Sequence, residues 1–165
     1  ERDDQGRPRP PETWRELCLA AVTTHDLPPT AGYLAGEHLR IRDELGLLTR
    51  SIEEERRVDE SDRASWLDLL VDRGWLDAAD ADDEPAVSVA LHRALAATPS
   101  RLRGVALTDV VGDRRAMNQP GTDEQYPNWR LPLADGDGRP VLLEDLVGST
   151  RAARLAAAAR GRDPA

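Results

Sequence analysis

The sequence contains no phenylalanine, one methionine and one cysteine, and aromatic residues make up only 4% of its 165 positions. A chain this poor in large rings has few of the side chains that fill a core. Its lone cysteine, Cys18, rules out an internal disulfide framework. Lying inside the apolar run Leu17–Val22, it reads as a buried, inert thiol. No apolar stretch approaches the ~20 residues of a membrane span, and no secretory signal is present. The expectation is a reducing, cytoplasmic setting with no membrane partner. Positive charge is also short. The formal net charge is −9, which argues against a protein that tracks nucleic-acid phosphates. His38 and His92 have no cysteine or spaced histidine partner, so no metal pattern forms. A Gly-rich phosphate loop is missing too, and no cofactor is expected.

What is present falls in blocks. Residues 1–11 are charged and proline-rich and read as a loop, followed by one short helical turn over Pro11–Glu16. Leu17–Thr23 is a continuous apolar run of strand length, the pattern of a strand buried on both faces of a parallel sheet. Thr30 reads as a helix N-cap, and the helix after it should run from about Ala31 to Leu45 and stop at Gly46. Ser51 and Glu54 have capping-box spacing. Ser61–Arg73 carries Trp66, Leu69 and Leu70 at helical spacing, with Trp75 just beyond, as a core-facing stripe. The acidic stretch Asp77–Glu84 reads as a solvated linker, since it lacks the alternation and glycine of a calcium loop. Pro85 opens another helix, to about Thr98. Leu102–Leu107 is a second short strand, followed by a turn or single helical turn at Thr108–Gly112. Residues 113–140 are dense in Pro, Gly, Asn and Asp and predict a long structured loop. Leu142–Gly148 and Thr150–Arg160 read as terminal helices, the second alanine-rich.

Two buried strands separated by helices make an α/β pattern. Two strands cannot close a sheet or enclose a sizeable core. Most of the sheet must lie elsewhere, so the expectation is a unit incomplete alone.

Two segments could carry chemistry. Thr24-His25-Asp26 sits at the C-terminal end of the first strand, ahead of the rigid pair Pro28-Pro29. In a parallel barrel that end of each strand faces the active site. Asp26 is then a charge stabiliser, base or nucleophile, and His25 orients it or binds hydroxyls. The alternative is that Asp26 caps the next helix and His25 makes a local bond. The second segment is Met117–Thr122 with Gln125–Arg130. Its Asn, Gln, Tyr, Trp and Arg side chains suit a sugar, which offers apolar C–H patches and a rim of hydroxyls. The alternative here is a packed surface loop in which Trp129 fills a core gap.

The run WRELCLAAVTTHDLPPTAGYLAGEHL resembles the seventh-strand region of the bacterial amylomaltases of glycoside hydrolase family 77, in the Thr-His-Asp-Leu-Pro-Pro-Thr form of actinobacterial members. The run RAMNQPGTDEQYPNWRLPL is similar to the family's segment after the last barrel strand. Together the likeness covers roughly residues 11–148. The resemblance implies the C-terminal portion of a (β/α)8 barrel over 1–148, with an alanine-rich helix or tail over 149–165. It implies a 4-α-glucanotransferase that cleaves an α-1,4-glucan or maltooligosaccharide, holds the glucosyl chain covalently and passes it to another sugar's 4-hydroxyl. Asp26 matches the family's third carboxylate, which stabilises the transition state. His25 matches the neighbouring sugar-binding histidine, and Asn128 and Trp129 match residues near the site. The family's nucleophile and acid/base motifs are not found in these 165 residues, and Asp109 and Asp113 match no catalytic position. The resemblance therefore implies a chain inactive alone. A hydrolase or branching-type enzyme on a related barrel, and a non-catalytic carbohydrate-binding piece, are the competing readings.

Overall fold

Leu19 stands opposite Leu102 in the only sheet among the residues that the computed structural model describes, 2–161. The sheet has two parallel strands, β1 (Leu19–Ala21) and β2 (Leu102–Gly104). A parallel pair needs a long crossover, and here four helices supply it. They are α1 (Thr30–Leu34), α2 (Glu37–Glu44), α3 (Ile52–Asp72) and α4 (Glu84–Ala96). After β2 come α5 (Leu107–Val111), the long loop, α6 (Leu143–Leu146) and α7 (Thr150–Ala159). The α/β expectation holds as a short two-stranded parallel sheet with helices. No helix among the described residues is long and apolar enough to cross a membrane.

The strands are shorter and barer than the sequence predicts. Leu17 is 87% exposed and Leu19 64%, so the run Leu17–Thr23 is not buried on both faces. Within β1 only Ala20 is buried, with Ala21 half-buried. The second strand ends at Gly104, because Leu107 already opens α5. Cys18 is half-buried, not enclosed. Its Sγ lies 3.2 Å from the Arg15 carbonyl and 3.4 Å from Ser100 Oγ.

The predicted helix over 31–45 is two helices. Gly36 adopts φ +68°, which breaks α1 from α2, and a residue without Cβ enters that region at no steric cost. Thr30 does not cap α1 either. Pro29 holds the cap position, Thr30 is the first helical residue, and the Thr30 N–H donates to Asp109 Oδ1 at 2.7 Å. The capping box is formed: Glu54 N–H donates to Ser51 Oγ and Ser51 N–H to Glu54 Oε2, both at 3.2 Å. It opens one 21-residue helix that absorbs the predicted Ser61–Arg73 segment. Such a cap is worth about 1 kcal/mol.

The core lies between α3 and α4, where Leu70, Leu76, Val87, Ala90 and Ala94 pack with Leu67, Trp75 and Leu91 at the edge. Small alanines let α4 approach closely, which offsets the shortage of large rings. The alanine-rich α7 packs on α4 and α5, burying Leu155 and Ala158. Arg151 fixes it there with two bonds to the Glu84 carboxylate, at 2.6 and 2.7 Å. The last four residues of the predicted tail, 162–165, lie outside the described ones. Beside β1, a cavity of about 660 Å³ has Trp14, Leu19, Val22, Trp66, Leu70 and Leu95 in its wall.

Candidate active site

Beyond β1 the chain makes a turn closed by the Leu27 N–H on the Thr24 carbonyl at 3.2 Å. Thr23 Oγ donates across it to the Pro28 carbonyl at 2.8 Å. Pro28 and Pro29 fix φ near −65°, so the turn has little freedom. It holds His25 and Asp26 out from the strand end with side chains 56% and 50% exposed. Asp26 is thus reachable by a ligand. It does not cap α1.

The second segment leaves α5 through Gly112 and runs to Ala134. Asp113, buried, ties its two ends together. It accepts from Arg115 Nε at 3.0 Å, Arg115 Nη2 at 2.9 Å and the Ala134 N–H at 3.1 Å. The same segment lies hard against α1. A Cβ added at Gly32 would stand 2.1 Å from the Arg114 carbonyl oxygen, so only glycine permits this approach.

Packing α1 against that segment brings the two candidate regions into contact. The Asn118 N–H donates to the His25 carbonyl at 3.2 Å. Asn118 Nδ2 donates to Asp26 Oδ1 at 2.6 Å. His25 Nε2 lies 3.3 Å from Asp26 Oδ2. Each oxygen of the carboxylate therefore has one partner from the protein and retains lone-pair capacity for another. The Trp129 ring sits 5.1 Å from the His25 ring, tilted by 43°.

Trp129 does not fill a core gap. It is 65% exposed and has φ +61°, the only positive φ outside glycine among the described residues. Its N–H donates to the Met117 carbonyl at 2.9 Å. Side chains rarely tolerate that backbone, and strain of this kind gathers at ligand sites. The large buried ring of this loop is Tyr126, whose hydroxyl donates to the Ala116 carbonyl at 2.8 Å. Asn128 lies beside Trp129 with its amide occupied. Its Oδ1 accepts the Gln119 N–H at 2.7 Å, and its Nδ2 donates to Thr122 Oγ1 at 2.9 Å.

Four sequence-predicted residues thus meet in one place. His25, Asp26 and Trp129 face outward, while Asn128 braces the loop beneath. Sequence reasoning missed Asn118 as a member of the site. It belonged to the run that drew attention, but nothing local marks which amide of Asn118, Gln119 and Asn128 crosses to the other segment. A fixed carboxylate beside an exposed ring face can hold a polyhydroxylated ligand, with hydroxyls on the carboxylate and C–H faces on the ring.

Comparison with known proteins gives the same family for most of the chain. The glycoside hydrolase family 77 profile, described as 4-alpha-glucanotransferase, matches residues 1–136. The chain is 58% identical over 156 residues to a Mycobacterium tuberculosis protein named 4-alpha-glucanotransferase, covering 94% of this chain and 21% of that one. A Haemophilus influenzae protein of the same name is 28% identical over 126 residues, 71% of this chain and 18% of its own length. The crystal structure of amylomaltase from Corynebacterium glutamicum superposes with a TM-score of 0.88 at 41% identity, covering 96% of this chain and 24% of that one. The chain spans about a fifth of the length of the curated relatives it matches.

Proposed function

We propose, from the premise that this chain belongs to glycoside hydrolase family 77, that it is the part of a 4-α-glucanotransferase that supplies a transition-state-stabilising carboxylate and a sugar platform. The reaction moves an α-1,4-glucan segment from a donor to the 4-hydroxyl of an acceptor glucose or glucan. It proceeds by double displacement with retention. The nucleophile and the acid/base stand about 5–5.5 Å apart in such enzymes and come from residues outside these 165. Residues 1–148 are then the last portion of a (β/α)8 barrel, with β1 and β2 as two of its strands, and 149–165 form a helix docked on it. Leu19 and Leu102, paired and both 64% exposed, support that reading, as does the apolar cavity beside β1. Further barrel elements would cover both.

Asp26 carries the proposal, because Asn118 and His25 hold one oxygen each and leave the group open to solvent. An oxocarbenium-like transition state gains positive charge that the neutral sugar lacks. A carboxylate fixed in advance binds it better than the ground state, and only such differential binding raises kcat. His25 supplies a hydrogen bond at the rim and Trp129 a face for the sugar ring. Asn128 holds Trp129 in place.

The test is product analysis of the full-length protein on maltotriose, with Asp26→Asn beside it. Longer maltooligosaccharides from the wild type, lost by orders of magnitude in the variant, are expected. Shorter sugars alone point to a hydrolase. Sugar binding without turnover points to a non-catalytic binding unit. Near-normal transfer by Asp26→Asn sinks the role given to Asp26.

A further inference from the structure

Asp109 is fully buried and faces no sugar site, yet it touches the segment that carries Asp26. Pro28 and Pro29 have no N–H, so Thr30 bears the first backbone donor after Leu27. That donor goes to Asp109 Oδ1 at 2.7 Å, across 79 residues of sequence. At the other end of the same turn, Thr23 holds the Pro28 carbonyl. With two prolines between these anchors, a shift of Thr30 has little slack to absorb it and passes to Leu27 and Asp26. Asp109 itself lies on α5, and α5 leads directly into the segment that presents Asn118. One carboxylate therefore joins the supports of both partners in the Asp26–Asn118 bond.

The surroundings are costly for stability alone. Asp109 Oδ2 and His92 Nε2 are buried without a hydrogen-bond partner in good geometry, and the Thr30 side chain and the His92 imidazole only partly offset the cost of burying the Asp109 charge. His92, fully buried on α4, spends its Nδ1 on the Ser88 carbonyl at 2.8 Å. Burial pushes the Asp109 carboxyl up and the His92 imidazole down. Arg151 donates to the Asp109 backbone carbonyl at 2.8 Å and not to its carboxylate. An apolar side chain at 109 would remove the buried carboxylate, but it would leave the Thr30 N–H without an acceptor.

We propose that Asp109 is a positioning residue for Asp26, holding the N–H of Thr30 so that the Asp26 carboxylate stays in register with Asn118 and His25. This rests on the role given to Asp26 above. The experiment compares Asp109→Ala, Asp109→Asn and Asp26→Asn in the full-length protein, with transfer kinetics on maltotriose and amide exchange over residues 24–34. Asp109→Ala should lose roughly 10- to 100-fold in kcat, with KM within about threefold and faster exchange over 24–34. Asp109→Asn keeps an oxygen acceptor and should recover kcat to within about threefold of wild type. Wild-type kcat in a folded Asp109→Ala protein overturns the proposal. So does an Asp109→Asn protein as slow as Asp109→Ala. If Asp109→Ala does not fold, Asp109→Ser takes its place. Its short hydroxyl should give partial loss of kcat in step with faster exchange, and kcat loss with unchanged exchange overturns the proposal. Full turnover by Asp26→Asn would instead show that the catalytic reading has failed, while the exchange data would still report on the Thr30 bond.

Discussion

Asn118 Nδ2 and Asp26 Oδ1 lie 2.6 Å apart, so the amide of one segment directly orients the carboxylate of the other. Asn118→Ala removes that donor and leaves Asp26 free to rotate. The expected result is a kcat lower by roughly 10- to 100-fold in the full-length protein, with the fold intact by circular dichroism. Asn118→Asp goes further, because it replaces the donor with a second negative charge facing Asp26. Its kcat should fall below that of Asn118→Ala, and a kcat equal to the wild type's in either variant would mean that the contact has no part in turnover.

Trp129 combines an exposed ring with a backbone that disfavours any side chain. Removing the ring should raise KM for maltooligosaccharides about tenfold, near 1.4 kcal/mol of binding, whether the replacement is Ala or Gly. The two replacements should differ in stability. Glycine relieves the φ +61° strain and alanine does not, a difference of about 1 kcal/mol. Denaturant midpoints that rank alanine above glycine would contradict this account.

Gly32 sets how closely the two halves of the site approach. Gly32→Ala places a methyl 2.1 Å from the Arg114 carbonyl oxygen, and backbone cannot give way as a side chain tip can. The expected cost is about 3 kcal/mol, read as a lowered unfolding midpoint. Turnover should fall as well, because α1 and the Asn118 segment are pushed apart. Wild-type stability in this variant would show that the close approach is not kept in solution.

The Glu84–Arg151 contact predicts a pH effect. Burial pushes the Glu84 carboxyl up, but hydrogen bonds from Arg151 and Ser88 outweigh it and hold it below its ordinary value of 4.5. A group depressed in the folded state stabilises above its unfolded pKa and loses that contribution as pH falls through the folded value. Docking of α7 should therefore weaken below about pH 4.5. Amide exchange over residues 150–159 should be slower in the wild type than in Glu84→Gln above about pH 4.5, and the difference should vanish as pH falls and the carboxylate protonates. Identical profiles across the whole range would remove the contact from the account.

Much of this was legible locally. Ser51 and Glu54 announce their cap by spacing, Pro85 announces α4, and the density of Pro, Gly, Asn and Asp over 113–140 announces the long loop. Each is a short-range rule that the chain obeys regardless of its surroundings. His25 and Asp26 stand out by their place at the end of a strand, while Asn128 and Trp129 are marked only by the resemblance of their run to the family's. One failure is local: Gly36 adopts a left-handed backbone and breaks a helix that periodicity alone would continue. The others depend on partners far away in sequence. Thr30 has a capping side chain, but the helix starts one residue earlier than capping by Thr30 requires, with Pro29 at the cap position and the Thr30 N–H bound by Asp109 on α5. The burial expected for Leu17–Thr23 requires neighbours on a second face that these residues do not provide. Asn118 was invisible as the partner of Asp26 for the same reason.

The separation of 92 positions from Asp26 to Asn118 also imposes a delay during synthesis. A ribosome adding about 5–20 residues per second needs roughly 5–20 s to travel between them. Throughout that interval the first segment exists without the amide that orients its carboxylate, and for most of it α1 lacks Asp109, the acceptor for its first donor. The nascent chain therefore carries half of the candidate site in waiting, and the two halves meet only after translation has passed the second strand.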